Sequence, residues 1–484
     1  MGLRRHRAGP GNRTPPCAST GSGPRMPALC PTGDICLTMP QQRIALISLG
    51  CPKNLVDSEV MLGLLDSAGY QIVEDVEQAD IAICNTCAFI EPAQEEAIEA
   101  LLDLAEMKAT GGLSAIVCTG CLPQRHGPRL AEELSEVDVF VQIGAEPRIV
   151  EAVWAAAAGE RAFFEGEQSY ALSADMPRWR SAPDWLTYIR IADGCNHHCT
   201  YCTIPDIRGA YRSRAPEDIM IEYERLVSEG VREISLVAQD TTAYGRDLRP
   251  RTDLPSLLGR MAAVDFDGWV RLLYTYPSEV TPALLDAMAG FQAMVPYIDV
   301  PLQHASRRVL RAMGRAGDAE SYLELVASAR NAMPDIAIRT TFIVGFPGET
   351  EDEFEELLEF VGAAGLDRLS AFVYCPEPGT PAADLPGQVD LALARDRLDA
   401  LMRAQEALSL RRNQEFVGRR LRVLIERKAP DRDIWFGRSY RDAPEIDCEV
   451  KVDAVECGPC PQLGEFMDVE VTRAEVHDLN AVPV

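Results

Sequence analysis

Three cysteines at CxxxCxxC spacing constrain this chain more than any other feature. Cys195, Cys199 and Cys202 stand directly after the strand-like run Thr187–Ala192. Thiolates bind iron and zinc tightly, and iron–sulfur clusters are normally held by cysteine sulfur. No fourth cysteine lies nearby in the sequence. The spacing therefore predicts a metal centre with three cysteine ligands at the end of a strand.

Two kinds of metal centre fit that spacing. Structural zinc takes four ligands, so His197 or His198 would have to complete the set. A 4Fe-4S cluster held by three cysteines leaves one iron open to chelate a small molecule through amino and carboxylate groups. The run from Cys195 to Cys202 resembles the signature of the radical S-adenosylmethionine (SAM) superfamily. That resemblance implies a 4Fe-4S cluster, SAM on its open iron, and the aromatic ring of Tyr201 near the adenine.

Six strand-like runs separated by helical segments follow a linker that ends near residue 184. This alternation predicts a partial (β/α)6 barrel over residues 181–412. Active sites in such barrels lie at the carboxyl ends of the strands, where the cysteine run stands. The predicted strands are Thr187–Ala192, Glu233–Ala238, Val270–Tyr274, Tyr297–Val300, Ile336–Val344 and Arg368–Tyr374.

Other strand ends of this barrel supply candidate SAM contacts. Gln239 follows the second strand, and Gly345, Phe346 and Pro347 follow the fifth. The second group opens a helix that begins with acids, so its glycine and backbone amides suit a closely approaching adenosyl group. An ordinary turn with a helix cap is the alternative. We expect His304, after the fourth strand, to be a structural histidine with a hydrogen-bond partner.

Strand-like and helix-like segments also alternate between residues 41 and 160. This pattern predicts a small α/β domain with a parallel sheet. The predicted strands are Ile44–Leu49, Ile81–Cys84, Ala115–Cys118 and Val137–Val141, and the predicted helices are Asp57–Ala68, Glu95–Met107 and Gly127–Leu134.

A second set of three cysteines belongs to this domain. Cys51, Cys87 and Cys121 recur about 35 residues apart, each just after a predicted strand. Ligands of open α/β sheets collect at the carboxyl ends of the strands, so the three side chains can converge there. The alternative is three inert buried thiols. Cys84 and Cys118 lie within strands and are expected in the core.

The end of the chain, residues 413–484, follows the predicted amphipathic helix Leu391–Asn413. Its short strands and turns predict a small β-barrel, so the whole fold is expected to be α/β with this all-β addition. Its predicted strands are Leu421–Glu426, Ile446–Val452 and Phe466–Ala474. Cys448, Cys457 and Cys460 supply too few ligands for a tail metal site and are expected to be incidental thiols.

Taken together, these motifs resemble the methylthiotransferase family from Met39 to the end of the chain. The resemblance implies a second 4Fe-4S cluster on Cys51, Cys87 and Cys121, and a C-terminal TRAM barrel that contacts the substrate. Gly50-Cys-Pro-Lys-Asn-Leu-Val-Asp-Ser-Glu59 and Gly437-Arg-Ser-Tyr-Arg-Asp-Ala-Pro-Glu-Ile-Asp447 look like the branch that modifies the β-carbon of an aspartate in ribosomal small-subunit protein twelve. Cys448 departs from that branch, which usually has glycine there.

The resemblance also implies a division of labour between the two triads. The cluster on Cys195, Cys199 and Cys202 cleaves SAM to a 5′-deoxyadenosyl radical that abstracts hydrogen from the substrate. The other cluster delivers a methylated sulfur. An electron donor and a sulfur source are therefore expected partners.

Charge favours a protein substrate over a nucleic acid. The formal net charge is −27, and between residues 415 and 484 fifteen acidic side chains face ten basic ones. RNA binding rests mainly on cations that neutralise phosphates, whereas an acidic surface attracts a basic ribosomal protein. A transfer RNA (adenosine) methylthiotransferase and a non-catalytic zinc module remain the alternatives.

Residues 1–40 differ from the rest of the chain in composition. They are rich in Gly, Pro, Ser and Arg, with five arginines against the single acid Asp34. We expect them to be disordered, and we expect Met39 to be the natural start. Cys17, Cys30 and Cys36 would then have no function.

The compartment is predicted from the cysteines. Fifteen cysteines without a secretory signal indicate thiols kept for metal binding in a reducing compartment, so we expect a cytoplasmic protein. The apolar run Ala152–Ala158 is too short to span a bilayer, and no membrane role is expected.

Overall fold

A computed structural model describes residues 42–167, 172–430, 432–454 and 461–484. The predicted disordered extension, the predicted start at Met39, and Cys457 and Cys460 lie outside the described residues. Within them the chain forms a parallel α/β unit, a partial barrel and a closed β-barrel, which confirms the predicted fold class. No helix among the described residues is both long and apolar enough to cross a membrane.

The N-terminal unit is a six-stranded parallel sheet in the order β2-β1-β3-β4-β5-β6. The two central strands, β3 and β4, are buried along their whole length, as expected of a sheet covered by helices on both faces. The strands are β1 Arg43–Ser48, β2 Gln71–Ile72, β3 Ile81–Thr86, β4 Ala115–Gly120, β5 Val139–Gln142 and β6 Ala162–Phe164; the helices are α1 Pro52–Ser67, α2 Glu91–Ala109, α3 Cys121–His126, α4 Pro128–Glu133 and α5 Ile149–Ala157.

Three elements of this unit differ from the sequence-based prediction. Helix α1 begins at Pro52 rather than Asp57, because proline suits the first turn of a helix and Cys51 serves as its N-cap. The helix predicted near Gly127–Leu134 is two short helices, α3 and α4, that meet at Gly127. The sheet also continues past residue 160 through β6.

The barrel contains all six predicted strands. Two parallel three-stranded sheets, β7-β10-β11 and β12-β13-β14, adjoin where the Thr275 N–H donates to the Asp299 carbonyl at 3.0 Å. The strands are β7 Leu186–Arg190, β8 Ala192–Asp193, β9 Arg212–Ser213, β10 Glu233–Val237, β11 Trp269–Leu272, β12 Tyr297–Asp299, β13 Ala337–Val344 and β14 Arg368–Val373; the helices are α6 Ile204–Arg208, α7 Pro216–Ser228, α8 Leu254–Met261, α9 Pro282–Gly290, α10 Arg307–Ala312, α11 Ala319–Ala332, α12 Glu351–Ala364 and α13 Leu391–Gln414.

The C-terminal unit is a closed five-stranded barrel in the order β15-β16-β17-β19-β18. Strands β16 and β19 were not predicted, and β17 begins at Val450 rather than Ile446. Before β17 the chain turns, and Asp447 accepts hydrogen bonds from the Ala443 N–H at 2.8 Å and the Tyr297 hydroxyl at 2.6 Å. The strands are β15 Arg420–Lys428, β16 Ile434–Ser439, β17 Val450–Asp453, β18 Phe466–Ala474 and β19 Leu479–Pro483.

Buried ion pairs join this closed barrel to the central one. Arg438 on β16 lies 2.6 Å from Glu233 on β10, which also holds Arg271 at 2.7 Å. Arg441 lies 3.3 Å from Asp367. All five side chains are at most 3% exposed. Removing one member of such a set would leave a buried charge without its partner, so the two barrels depend on each other.

Candidate functional site

The loop between β8 and α6 carries the predicted barrel triad. Cys195, Cys199 and Cys202 are all half-buried, and each sulfur faces an N–H donor. The donors are the His197 backbone N–H to Cys195 Sγ at 3.4 Å, the Ile204 backbone N–H to Cys202 Sγ at 3.5 Å, and Arg315 Nη1 to Cys199 Sγ at 3.7 Å. N–H groups directed at cysteine sulfur favour the thiolate that a metal requires.

Burial sets the protonation of these thiols. It raises the pKa of Cys195 to about 11 and the pKa of Cys202 to about 12. Both are therefore protonated near neutral pH until a metal displaces the protons. Three such thiols on one loop fit the ligand set of an iron–sulfur cluster.

The arrangement does not favour a zinc site. Within the described part of the chain, no three His, Cys, Asp or Glu side chains stand close enough to share one metal ion. A cluster attaches each cysteine to a different iron and does not need that convergence. His197 Nε2 is 2.6 Å from Asp240 and its ring stacks on Tyr276 at 3.8 Å, while His198 is exposed. Neither histidine completes a tetrahedral set.

The N-terminal triad stands at three neighbouring strand ends, as predicted. Cys51 follows β1, Cys87 follows β3, and Cys121 opens α3 after β4. Gly50 lets the first two loops approach, since its φ is +89° and a Cβ there would lie 2.7 Å from the Cβ of Cys87. The structure thus brings together three cysteines from three separate βα units. Cys84 and Cys118 are fully buried within β3 and β4.

Asn54 ties these three loops together. Its Nδ2 donates to the carbonyls of Leu49 at 3.1 Å and Thr86 at 3.0 Å, which lie two residues before Cys51 and one residue before Cys87. Its Oδ1 lies 3.7 Å from the Sγ of Cys121. A single buried side chain therefore contacts the loops of all three cysteines.

The three thiols of this triad differ in acidity. Burial raises the pKa of Cys87 to about 12 and also raises that of Cys121. At Cys51 burial acts in the same direction, but the charges of Lys53 and Arg208, with two backbone N–H groups, outweigh it and lower the pKa. Cys51 is therefore the thiol of this triad that most readily becomes a thiolate.

Helix α6 connects the two triads. It begins two residues after Cys202, and its last residue, Arg208, donates to Asn54 Oδ1 at 2.5 Å and to Asp57 at 3.1 Å. Just before it, Thr203 Oγ1 donates to the Phe89 carbonyl at 3.2 Å, two residues beyond Cys87. The loops of both triads therefore pack against each other on one side of the molecule.

The candidate SAM contacts fall into two groups: Tyr201 and Gln239 near the cysteine loop, and Gly345, Phe346 and Pro347 after β13. Tyr201 packs on the barrel core, and burial raises the pKa of its hydroxyl well above the ordinary value. Gln239 precedes Asp240, the partner of His197, and both of its side-chain amide atoms are buried without a hydrogen-bond partner. Gln239 therefore lies beside the cysteine loop with an unused polar group.

Gly345, Phe346 and Pro347 are buried and engaged in packing. Gly345 has φ +73°, and a Cβ there would lie 2.5 Å from the Cβ of Ala394 on α13. The ring of Phe346 packs edge-on against Tyr374 with centroids 5.2 Å apart. These packing contacts alone require the glycine and the aromatic ring, independently of any ligand that the loop binds.

Arg315 was missed in the sequence analysis. Its guanidinium lies next to Cys199, 4.3 Å over the ring of Tyr276, and its Nε has no partner. Nothing in the sequence around Gly314 and Arg315 marks a site, because the contact forms only when the segment after α10 reaches the cysteine loop. His304, in contrast, is fully buried, and its Nδ1 accepts from the Ser306 N–H at 2.9 Å, the partner expected of a structural histidine, whereas its Nε2 has no hydrogen-bond partner.

Three family models match this chain. Residues 43–142 match the family described as "Uncharacterized protein family UPF0004", residues 189–361 the radical SAM superfamily, and residues 417–484 the TRAM domain. Membership of the radical SAM superfamily implies a 4Fe-4S cluster and SAM as cofactors. The three models correspond to the three architectural units of the fold.

Curated relatives cover nearly the whole chain. A protein from Trichlorobacter lovleyi named ribosomal protein uS12 methylthiotransferase RimO is 42% identical over 443 residues, 91% of this chain and 98% of its own. The protein of that name from Desulforudis audaxviator is 45% identical, over 91% of this chain and 96% of its own. Among solved structures, the radical SAM methyltransferase TsrM from Kitasatospora setae has a TM-score of 0.53 at 15% identity, covering 76% of this chain and 89% of that one, which supports the fold alone. The chain belongs to the RimO family of the radical SAM superfamily.

Proposed function

We propose that this protein is a transferase that installs a methylthio group on the β-carbon of an aspartate in ribosomal protein uS12, the small-subunit protein twelve. The names of its relatives support the reaction and the substrate. The observation that carries the proposal is the packing of one cysteine loop on the other through Thr203 and Arg208. A reaction that breaks a C–H bond and then adds sulfur needs both sites next to one substrate carbon. A ribosomal-protein substrate would also put the reaction in the cytoplasm.

Each triad would hold one 4Fe-4S cluster. Cys195, Cys199 and Cys202 would hold the cluster that binds SAM, and Cys51, Cys87 and Cys121 a second cluster that carries sulfur. Three thiol ligands per site and the N–H donors around the first triad fit such clusters. Together with SAM, the clusters supply the one-electron chemistry that breaks an unactivated C–H bond, which no side-chain acid or base achieves near neutral pH.

The protein's own residues position these groups. The N–H groups of His197 and Ile204 stabilise the thiolates of the barrel triad, and Arg315 places a fixed positive charge beside Cys199. The unpartnered amide of Gln239 suits a polar group of SAM. We also assign Tyr201, Gly345, Phe346 and Pro347 to the SAM site.

The C-terminal barrel favours a protein substrate over RNA. The motif arginines Arg438 and Arg441 are at most 3% exposed and are held by Glu233, Glu426 and Asp367. They are therefore engaged inside the protein and cannot neutralise phosphates. On the surface of this barrel, four other cations lie within 3.0 Å of an acid: Arg419 with Asp335, Arg422 with Asp267, Lys428 with Asp433, and Lys451 with Asp478.

The test compares two substrates with one enzyme preparation. The protein is reconstituted anaerobically with iron and sulfide, and we expect about eight irons per chain from two clusters. It is then incubated with SAM, a reductant and either purified uS12 or unmodified transfer RNA. Mass spectrometry should show a gain of about 46 Da on an aspartate of uS12, the mass of a methylthio group replacing hydrogen. Modification of the RNA but not of the protein would overturn the proposal.

A further inference from the structure

Lys53 brings a positive charge from the N-terminal unit into the mouth of the central barrel. It lies in the first turn of α1, directly after Pro52, and is 7% exposed. Its Nζ is 3.4 Å from the carbonyl of Ala238 and 3.5 Å from the ring centroid of Tyr274. Those residues follow β10 and β11, so the ammonium group stands at the carboxyl ends of two barrel strands.

This charge has no carboxylate partner within 4 Å among the described residues. The acids in electrostatic range are Asp193 and Asp299. Asp193 already faces Arg208 at 3.4 Å, and Asp299 already faces Arg339 at 2.8 Å. One long hydrogen bond and one aromatic ring satisfy an ammonium group with three donors only in part. A buried charge in this situation calls for an anion.

The thiolate of Cys51 is the nearest anion on the protein itself, but it has other partners. The backbone N–H groups of Lys53 and Asn54 are directed at its sulfur, and Arg208 adds a second positive charge. The Lys53 charge adds to this stabilisation, but within the described residues the hydrogen bond of its Nζ goes to the Ala238 carbonyl and not to that sulfur. This leaves the ammonium group available for an anion that arrives with the substrate.

Two neighbours of Lys53 are consistent with a substrate position. Gln239, whose unpartnered amide suits SAM, follows Ala238, so Lys53 lies next to the SAM site proposed above. Tyr274 has φ +59°, an uncommon conformation for a residue with a side chain, while its N–H donates to Asp299 at 3.0 Å. Unused polar atoms and unusual backbone angles at strand ends are typical of binding sites.

We propose that Lys53 binds the side-chain carboxylate of the aspartate to be modified. This inference rests on the proposed function. The carboxylate is bonded directly to the β-carbon, so anchoring it fixes the reacting atom between the two cysteine triads. Lys53 is then a residue that determines specificity: it distinguishes aspartate from its neutral isostere asparagine, because only aspartate offers the matching charge.

The test crosses enzyme variants with substrate variants. Wild-type enzyme, Lys53→Met and Lys53→Gln are each given uS12 and a uS12 variant with asparagine in place of the modified aspartate. Wild type should prefer aspartate by about 10- to 100-fold in kcat/KM, the effect expected of one charge-assisted hydrogen bond. Both Lys53 variants should lose that preference, mainly through a higher KM for the aspartate substrate. The ratio of kcat/KM for the two substrates is compared within each variant, so any effect on Cys51 that both substrates share cancels.

Two further measurements separate binding from structure. Iron content and unfolding temperature should match wild type in both variants, and fluorescence anisotropy with labelled uS12 should show weaker binding of the aspartate form only. A variant that keeps the aspartate preference, or one that loses iron from the N-terminal triad, would overturn the inference. If wild-type enzyme modifies no uS12, the proposed function fails as well, and that result is distinct from a failure at Lys53 alone.

Discussion

The two cysteine triads differ in how the chain assembles them. The barrel triad spans eight consecutive residues of one loop. Its cysteines are therefore close to each other without the help of tertiary contacts. The N-terminal triad collects one cysteine from each of three βα units and depends on Asn54 to hold their loops together. The first triad is a property of local sequence, whereas the second is a property of the fold. Variants should therefore affect the two sites in different ways.

The largest effect is expected at the barrel triad. Cys199→Ala removes a ligand from the cluster that would bind SAM, so 5′-deoxyadenosine formation and methylthio transfer should both disappear. Liquid chromatography of the nucleoside and mass spectrometry of uS12 measure the two outcomes. The matched control is Cys448→Ala, because Cys448 lies half-buried in the C-terminal unit, away from both triads. Continued SAM cleavage by the Cys199 variant would show that the cluster is held elsewhere.

At the N-terminal triad the two activities should separate. Cys87→Ala should abolish methylthio transfer while 5′-deoxyadenosine formation largely remains, and iron should fall from about eight to about four per chain. Cys118→Ala is the control, since Cys118 is fully buried in the neighbouring strand β4. Normal sulfur insertion by the Cys87 variant would exclude the N-terminal site as the sulfur carrier.

A smaller effect is expected when the loops are loosened but all cysteines are kept. Asn54→Ala removes the two buried hydrogen bonds that its Nδ2 donates and the one that its Oδ1 accepts from Arg208, and should lower stability by about 1–3 kcal/mol. It should also reduce iron binding at the N-terminal triad only. Asn413→Ala is the control: Asn413 is equally buried and donates to the Glu475 carbonyl at 3.1 Å, but at the C-terminal barrel. Equal iron loss in both variants would contradict a specific role for Asn54.

The smallest effect on activity is expected at Glu146, whose carboxyl lies near Asp57 behind the N-terminal triad. Burial raises the pKa of Glu146 from 4.5 to about 8, and the nearby charge of Asp57 adds to the shift. The folded state therefore holds a proton that the unfolded state releases above pH 4.5. The contribution of Glu146 to the free energy of unfolding is complete below pH 4.5 and is lost as the pH rises through 8.

Glu146→Gln cannot ionise, so the stability it gains over wild type should grow between pH 5 and pH 8, by about 1 kcal/mol or more. Urea unfolding of the anaerobic, metal-free protein at several pH values measures this. Glu132→Gln, on the exposed side of α4, should show no such trend. A constant difference across the pH range would mean that Glu146 is ionised in the folded protein.

The sequence analysis succeeded where the signal is local. The six barrel strands, α13 and β18 have apolar patterns long enough to identify, and all were found close to their observed bounds. The fold class follows from the alternation of strands and helices. The cysteine positions were visible as well, because Cys51, Cys87 and Cys121 each come shortly after a strand-like run and the other three stand close together in the sequence.

Features that need tertiary contacts could not be predicted. β16 includes Arg438, and a charged residue in a short run indicates a surface loop unless its buried partner Glu233 is known. α1 was placed too late because the polar residues Lys53, Asn54 and Asp57 do not look like a buried first turn, although all three are less than 10% exposed. Their burial follows from contact with α6 and the barrel, which the spacing does not reveal.

The buried ion pairs of the C-terminal barrel bear on how this enzyme can be engineered. Three separate family models match three segments, which invites the exchange of whole modules between related enzymes. Some relatives could lack arginines equivalent to Arg438 and Arg441. With a C-terminal barrel from such a relative, Glu233 would lose its ion pair with Arg438 and Asp367 its ion pair with Arg441. A chimera would therefore have to take the contacting face of the central barrel from the same relative. The segment to exchange is the C-terminal barrel together with that face.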